Sequence, residues 1–225
     1  MDMVAGSAVT GTLVPGTMLT YPQWLTERIA DMGISWGTGD SRVSGTLWWC
    51  MAASSLVAPI ATAYAERRPA PNPDLEQILC EIRPDGGIER VLPVRWYAGA
   101  ARADTAADPD ADAVGPALRK TLGHIIPVVA EVSGAGIPSL WAIVADAIGN
   151  RAIDAGDAEA GTRLAQEVAG RLPVPRFTDI GDRTFVRRIS CCLVFEVPGC
   201  QMCTSCPKRP AAERHALLTK LATQS

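Results

Sequence analysis

The chain has 225 residues, of which 48% are hydrophobic and 20% charged, and a net charge of −3. This length predicts one large domain, or one with a small appendage, and the composition is that of an ordinary soluble globule rather than a disordered or fibrous chain. No basic field is present, so nucleic acid is not an expected partner.

In chain order, residues 1–20 are rich in Gly, Val and Thr and predict one or two short strands. Pro22 opens a helix expected to reach about Met32, with Gly33 as its C-cap. Ser41 is the expected N-cap of a longer helix. Residues 43–65 carry no charge, a length sufficient to cross a bilayer. Ser44, Gly45, Thr46, Ser54, Ser55, Pro59 and Thr62 interrupt the run, and much of the rest is alanine. The stretch therefore reads as a buried core helix, with Pro59 a candidate kink, rather than a clear transmembrane span. Peripheral membrane association stays open. Trp48 and Trp49 are expected in the core.

Residues 75–83 and 88–96 are apolar and β-favouring, and Pro84-Asp85-Gly86-Gly87 between them predicts a hairpin. Cys80 in its first strand and Cys50 in the long helix are expected as buried filler. Residues 70–73 and 103–113 read as surface loops. A helix over 114–132 places Leu118, Leu122, Ile125, Ile126 and Val129 on one face despite Pro127, with His124 beside that stripe as a packing or capping residue. Pro138 opens a helix to about Ala155, and Asp157 caps the next, over 158–172, which Leu172-Pro173-Val174-Pro175 ends. Residues 185–189 and 193–197 are expected to be extended, and a final helix covers 211–223.

Five of the seven cysteines fall between Cys191 and Cys206. Thiols used as apolar filler would be scattered, so this cluster implies disulfides, a metal or an iron–sulfur centre. Disulfides need an oxidising compartment. Met1-Asp2-Met3-Val4-Ala5-Gly6 has an acid where a signal peptide carries Lys or Arg, and no apolar stretch follows, which predicts a cytoplasmic chain. An odd cysteine count also argues against a closed set of bridges. Metal or iron–sulfur ligation is the better reading.

Cys203-Thr204-Ser205-Cys206 is a C-x2-C pair that serves either zinc or iron–sulfur sites. Successive side chains of a strand point to opposite faces, so Cys191 and Cys192 would converge poorly on one zinc, whereas each could reach a different iron of a two-iron cluster. This favours [2Fe–2S]. Cys200 adds a run, Cys200-x2-Cys203-x2-Cys206-Pro207, that partly echoes the ferredoxin pattern for [4Fe–4S], but Pro210 stands where its fourth cysteine belongs. A [4Fe–4S] cluster completed by Cys191 or Cys192, and a zinc site, stay open. A Rieske centre is not expected, because the chain has only two histidines, His124 and His215, and neither sits at a Cys-x-His spacing.

Arg187-Arg188-x-Ser190-Cys191-Cys192-Leu193, ten residues beyond the doubled cysteine, then Cys203-x2-Cys206-Pro207, with Val197-Pro198-Gly199 in the spacer, resembles the C-terminal signature of the FhuF-type siderophore-iron reductases. Ser139-Leu140-Trp141-Ala142-Ile143-Val144-Ala145-Asp146 is similar to a Leu-Trp helix of that family, and residues 41–59 resemble its N-terminal helical segment. The resemblance implies a [2Fe–2S] cluster on Cys191, Cys192, Cys203 and Cys206, with Cys200, outside the family pattern, as the alternative ligand. It implies an α+β fold: a mainly helical unit over 1–185, with the hairpin near 75–96, and a C-terminal iron–sulfur lobe over 186–225. The implied activity is one-electron reduction of an imported ferric siderophore to release Fe(II), with no catalytic residue beyond the cluster. The alternative is a non-catalytic iron–sulfur carrier or a redox or iron sensor. Arg187, Arg188, Lys208 and Arg209 bracket the ligands and are candidates to attract an anionic chelate. No dinucleotide fingerprint, P-loop, H-E-x-x-H or G-x-S-x-G occurs, so electrons would come from a separate ferredoxin or NAD(P)H-dependent reductase.

Overall fold

A computed structural model describes residues 11–97 and 114–224. The expectations for 1–10 and for the loop at 103–113 lie outside those residues. The described chain starts with strand β1 (Thr12–Pro15), a 3₁₀ turn and helix α1 (Pro22–Trp36). Pro22 opens α1 at the position where its missing N–H costs nothing. The helix runs past Gly33, the expected cap, and ends at Gly37, whose φ of +70° forms the left-handed cap. Gly33 is instead a buried helical position against which the next helix packs.

Helix α2 (Ser41–Ala65) is the spine of the fold. Its N-cap is Asp40 rather than Ser41: the Asp40 carboxylate accepts from the backbone N–H groups of Arg42 and Val43. Ser41 is the first helical residue, and its hydroxyl donates to the Ser133 carbonyl. The helix continues through Pro59. Among the described residues α2 is the one helix long and apolar enough to cross a membrane, and it is the core helix. Val43, Trp48, Trp49, Ala52, Ala53, Val57, Ile60 and Ala61 are buried, which is how a helix apolar on every face is accommodated inside a globule. The stacked Trp48 and Trp49 rings, with centroids 6.3 Å apart, satisfy their indole N–H groups at the carbonyls of Gly86 and Leu140.

The hairpin forms as strands β2 (Ile78–Ile82) and β3 (Ile88–Pro93), and β1 adds to the other side of β2 to give an antiparallel β1-β2-β3 sheet. The first strand begins later than expected because Leu75–Gln77 form a 3₁₀ turn. Cys80 is fully buried in β2. Helix α3 (Val114–Ser133) buries the expected stripe, but His124 is solvent-exposed and neither packs nor caps. Helix α4 (Ile137–Asp154) follows, then α5 (Ala158–Val168), capped as expected by Asp157, which accepts from the Ala160 N–H. Helix α5 ends four residues before Leu172, because Ala169 and Gly170 take φ values of +50° and +65° and turn the chain out.

The C-terminal part opens with a second hairpin, β4 (Phe177–Ile180) and β5 (Arg183–Val186), of which only the end of β5 lies in a stretch expected to be extended. It lies directly on α4: a Cβ at Gly149 would come within 3.0 Å of Val186 and 3.1 Å of Pro175. The second expected extended stretch, 193–197, is not a strand. Leu193 has φ +63° and Val194–Glu196 form a 3₁₀ turn. Helix α6 (Ala211–Ala222) buries only Leu218. The whole is an α+β fold, mainly helical, with small antiparallel sheets.

Candidate metal centre

A buried carboxylate ties the cysteine segment to the helical body, beside an Arg42–Glu196 ion pair from α2 and Val197 in the core. Residues 140–149 of α4 are buried, and Asp146 is the only charged residue among them. Asp146 accepts from the Ile189 N–H at 2.9 Å, the Ser190 N–H at 2.9 Å and the Ser190 hydroxyl at 2.6 Å. Its second partner type is a cation, Arg188, whose Nε lies 3.5 Å away as an ion pair. A buried carboxylate is costly unless it is hydrogen-bonded and paired. The loop and the helix therefore fix each other, and the doubled cysteine leaves this clamp in a set direction.

The four sulfurs expected as ligands come as two couples. Cys191 and Cys206 lie 3.8 Å apart, Sγ to Sγ. Cys192 and Cys203 are close enough to shift each other's ionisation. The doubled cysteine sits in irregular backbone rather than the expected strand, yet its two thiols still turn to different partners. Among the described residues no group of three or more His, Cys, Asp or Glu side chains converges to hold one ion. Cys206 is buried, and Cys191, Cys192 and Cys203 are half-buried. Cys200 packs partly against the core, and its backbone N–H bonds the Val197 carbonyl.

The thiols are electrostatically unequal. Interaction with Cys203 holds the Cys192 thiol well below its ordinary range, against the opposing effect of burial and with help from the Val194 N–H and Arg188. The same interaction raises Cys203. Burial raises Cys191, with the Leu193 N–H opposing. Such a set, with one thiolate already favoured, suits metal ligation, which requires deprotonated sulfur.

Cys50 was expected to be filler. It is half-buried in α2, close enough to Arg188, Cys192 and Asp146 for their charges to act on it, and burial pushes its thiol up to about 12.

The four flanking cations divide by role. Arg188 is largely buried, with 16% of its side chain exposed, and its Nη1 lies 3.7 Å from the Cys203 sulfur. Burial works against its charge, but Cys50, Cys192, Asp146 and Cys203 outweigh that and raise its pKa. Arg209 is committed to the loop: it donates to the carbonyls of Cys203 at 2.9 Å and Met202 at 2.6 Å and pairs with Glu213. Arg187 and Lys208 are exposed, the Lys208 ammonium lying 4.9 Å from the Phe195 ring centroid. Arg214 of α6 also donates to the Cys206 and Arg209 carbonyls.

Sequence reasoning missed Asp146, Arg214 and Cys50 as parts of this site. Asp146 had a signal, a single acid inside an apolar helical run. The other two had none, because only the tertiary fold brings them to the loop.

The donor set fits a two-iron cluster: each couple supplies the two thiolates one iron needs, beside a buried cation. Residues 188–208 match the family model of the FhuF 2Fe-2S C-terminal domain. This stretch is thus an iron–sulfur segment of the FhuF type, and its cofactor is a [2Fe–2S] cluster. The match encloses Arg188, all five clustered cysteines and Lys208. It bears out the resemblance in the cysteine segment. Neither a curated protein nor a solved structure matches the chain.

Proposed function

We propose that the protein reduces a ferric siderophore by one electron and releases Fe(II). The observation that carries this reading is the FhuF-type 2Fe-2S segment, in which Cys191, Cys192 and Cys203 are half-buried and only Cys206 is buried, so that the thiol cluster reaches toward the surface. In this reading Cys191 and Cys206 hold one iron and Cys192 and Cys203 the other, with Cys200 a neighbour. Bound there, a [2Fe–2S] cluster supplies electrons one at a time. One electron converts substrate Fe(III), a hard ion held by the siderophore's oxygens, to Fe(II), which those ligands grip less tightly.

The chain's own residues prepare this exchange. Asp146 and the arginines at 188, 209 and 214 hold the ligand loops in place. The exposed Arg187 and Lys208 present positive charge beside the loops, suited to an anionic chelate. The electron arrives from a separate donor, a ferredoxin or an NAD(P)H-dependent reductase, and the reaction takes place in the cytoplasm on imported substrate.

The test is direct. Anaerobic protein reduced with dithionite and freed of excess reductant is mixed with a ferric siderophore and a ferrous chelator. Expected is rapid reoxidation of the cluster with one Fe(II) captured per electron. A cluster that stays reduced overturns the reductase reading and marks a carrier or sensor.

A further inference from the structure

We propose that Arg188, held in place by Asp146, sets the reduction potential of the cluster by donating to the Cys203 sulfur. The proposal rests on the [2Fe–2S] assignment and not on the siderophore.

The buried Asp146 carboxylate does two jobs with its two oxygens. Oδ1 accepts the Ile189 N–H, which Oδ2 shares at 3.2 Å, while Oδ2 also accepts the Ser190 N–H and hydroxyl and faces Arg188 Nε. Anchoring the loop alone requires only an acceptor, which a neutral amide oxygen supplies. An ionised carboxylate buried in an apolar helix is a costly choice for that purpose. What the charge adds is a partner that keeps a guanidinium in the interior.

That guanidinium is aimed. Arg188 Nη1 reaches the Cys203 sulfur at 3.7 Å, and the Cys192 and Cys50 thiols also lie within its electrostatic range. Reduction adds one negative charge to the centre. A cation fixed beside a ligand sulfur in a largely buried position stabilises the reduced form more than the oxidised one, and hydrogen bonds to cluster sulfurs act in the same direction. Arg187, next in the chain, is exposed, and solvent screens its charge. The two neighbouring arginines therefore differ in function: Arg188 acts on the potential, and Asp146 is its positioning residue.

The test is the midpoint potential of the cluster-loaded protein by spectroelectrochemistry, with iron and sulfide content measured on each variant and no siderophore present. Arg188→Gln should lower the reduction equilibrium about tenfold, which is about 59 mV for a one-electron couple. Arg188→Lys, which keeps the charge but loses the planar fork, should give an intermediate value. Asp146→Asn keeps an acceptor for the loop but loses the hold on Arg188. Removing the carboxylate alone would raise the potential, so a fall identifies loss of the Arg188 contact. The fall should vanish when Asp146→Asn is added to Arg188→Gln.

An unmoved potential in whichever Arg188 variant loads overturns the proposal, and a rise in Asp146→Asn overturns the positioning role. A wild-type protein without a two-iron signal fails the cluster assignment itself, whereas wild-type failure to reduce siderophore leaves this test intact.

Discussion

The helical body and the C-terminal cysteine segment are held together by different physics. The body is a dry core: α2 and α4 bury Trp48, Trp49, Leu140, Val144 and Ile148, and the apolar area removed from water stabilises it. From β5 onward the buried positions are sparse, namely Val186, Ser190, Val197, Cys206 and Leu218. The segment relies more on polar contacts: Asp146 to residues 188–190 and Arg42 to Glu196 tie it to the body, and Arg209 and Arg214 brace the carbonyls around Cys203 and Cys206 within it. A region with little apolar burial needs another source of order, and a metal centre supplies one because its binding energy is realised only in the folded arrangement. The same sparse burial keeps the thiols near the surface. The body supplies rigidity, and the segment supplies access.

This contrast can be broken most strongly at the thiols. Cys203→Ser should abolish the visible absorbance of the cluster. It should also raise amide exchange across 188–222 while leaving the α2 and α4 amides protected, as hydrogen–deuterium exchange would read. Loss of protection throughout would show that the body depends on the cluster too. The companion Cys200→Ser should keep both the colour and the two-iron signature, and a lost or altered spectrum would make Cys200 a ligand.

Next in size is the body's own anchor. Trp49→Ala removes a fully buried indole and leaves the Leu140 carbonyl without its donor. Expected is a loss of about 3–5 kcal/mol in denaturant titrations, a Tm lower by on the order of 10 °C, and cooperative unfolding of body and segment together. Leu218→Ala should be milder and local. It removes the one buried side chain of α6, so that helix should become protease-sensitive while the main melting transition stays in place. A fall in Tm comparable to that of Trp49→Ala would merge the two regions into one cooperative unit.

The smallest effect lies at the edge of the body. Asp85 accepts hydrogen bonds from Arg83 and the Gly87 N–H within the β2–β3 turn; chiefly through Arg83, and against the opposing effect of burial, its carboxyl lies below the usual carboxylate range. A depressed carboxyl contributes stability that is fully present above the unfolded value, about 3.9, and is lost as pH falls through the lower folded value. Because the pair is partly solvated, the contribution is under about 1 kcal/mol. Wild type should therefore exceed Asp85→Asn slightly at pH 7, and the gap should close as the pH falls below 4. A gap that persists in acid would assign the effect to turn geometry instead.

Local chemistry was legible in the sequence wherever neighbouring residues decide it. Pro22 and Asp157 marked helix starts, the period of Leu118 to Val129 marked the buried face of α3, and the Pro84–Gly87 turn placed the first hairpin. Where competing local signals stood close together, the boundaries slipped. Asp40 rather than Ser41 caps α2 because a carboxylate accepts two N–H groups at once, and α1 runs on to Gly37 because Gly33 packs as a helical residue against Ser44 of α2 and the left-handed cap falls on the next glycine. The second hairpin was only half-read because its short strands carry little alternation and gain their place from contact with α4.

The identity of the cysteine segment was determined by the sequence alone, since the spacing of Cys191, Cys192, Cys203 and Cys206 is itself the chemical pattern and needs no distant residue to be read. How those thiols pair was decided only by the tertiary structure. An aspartate more than forty residues upstream sets the direction in which Cys191 and Cys192 leave the loop, and it brings Arg188 to the Cys203 sulfur. Ligand identity is a matter of which atoms are present. Pairing, burial and nearby charge depend on which distant elements pack together, and local sequence carries no record of that packing.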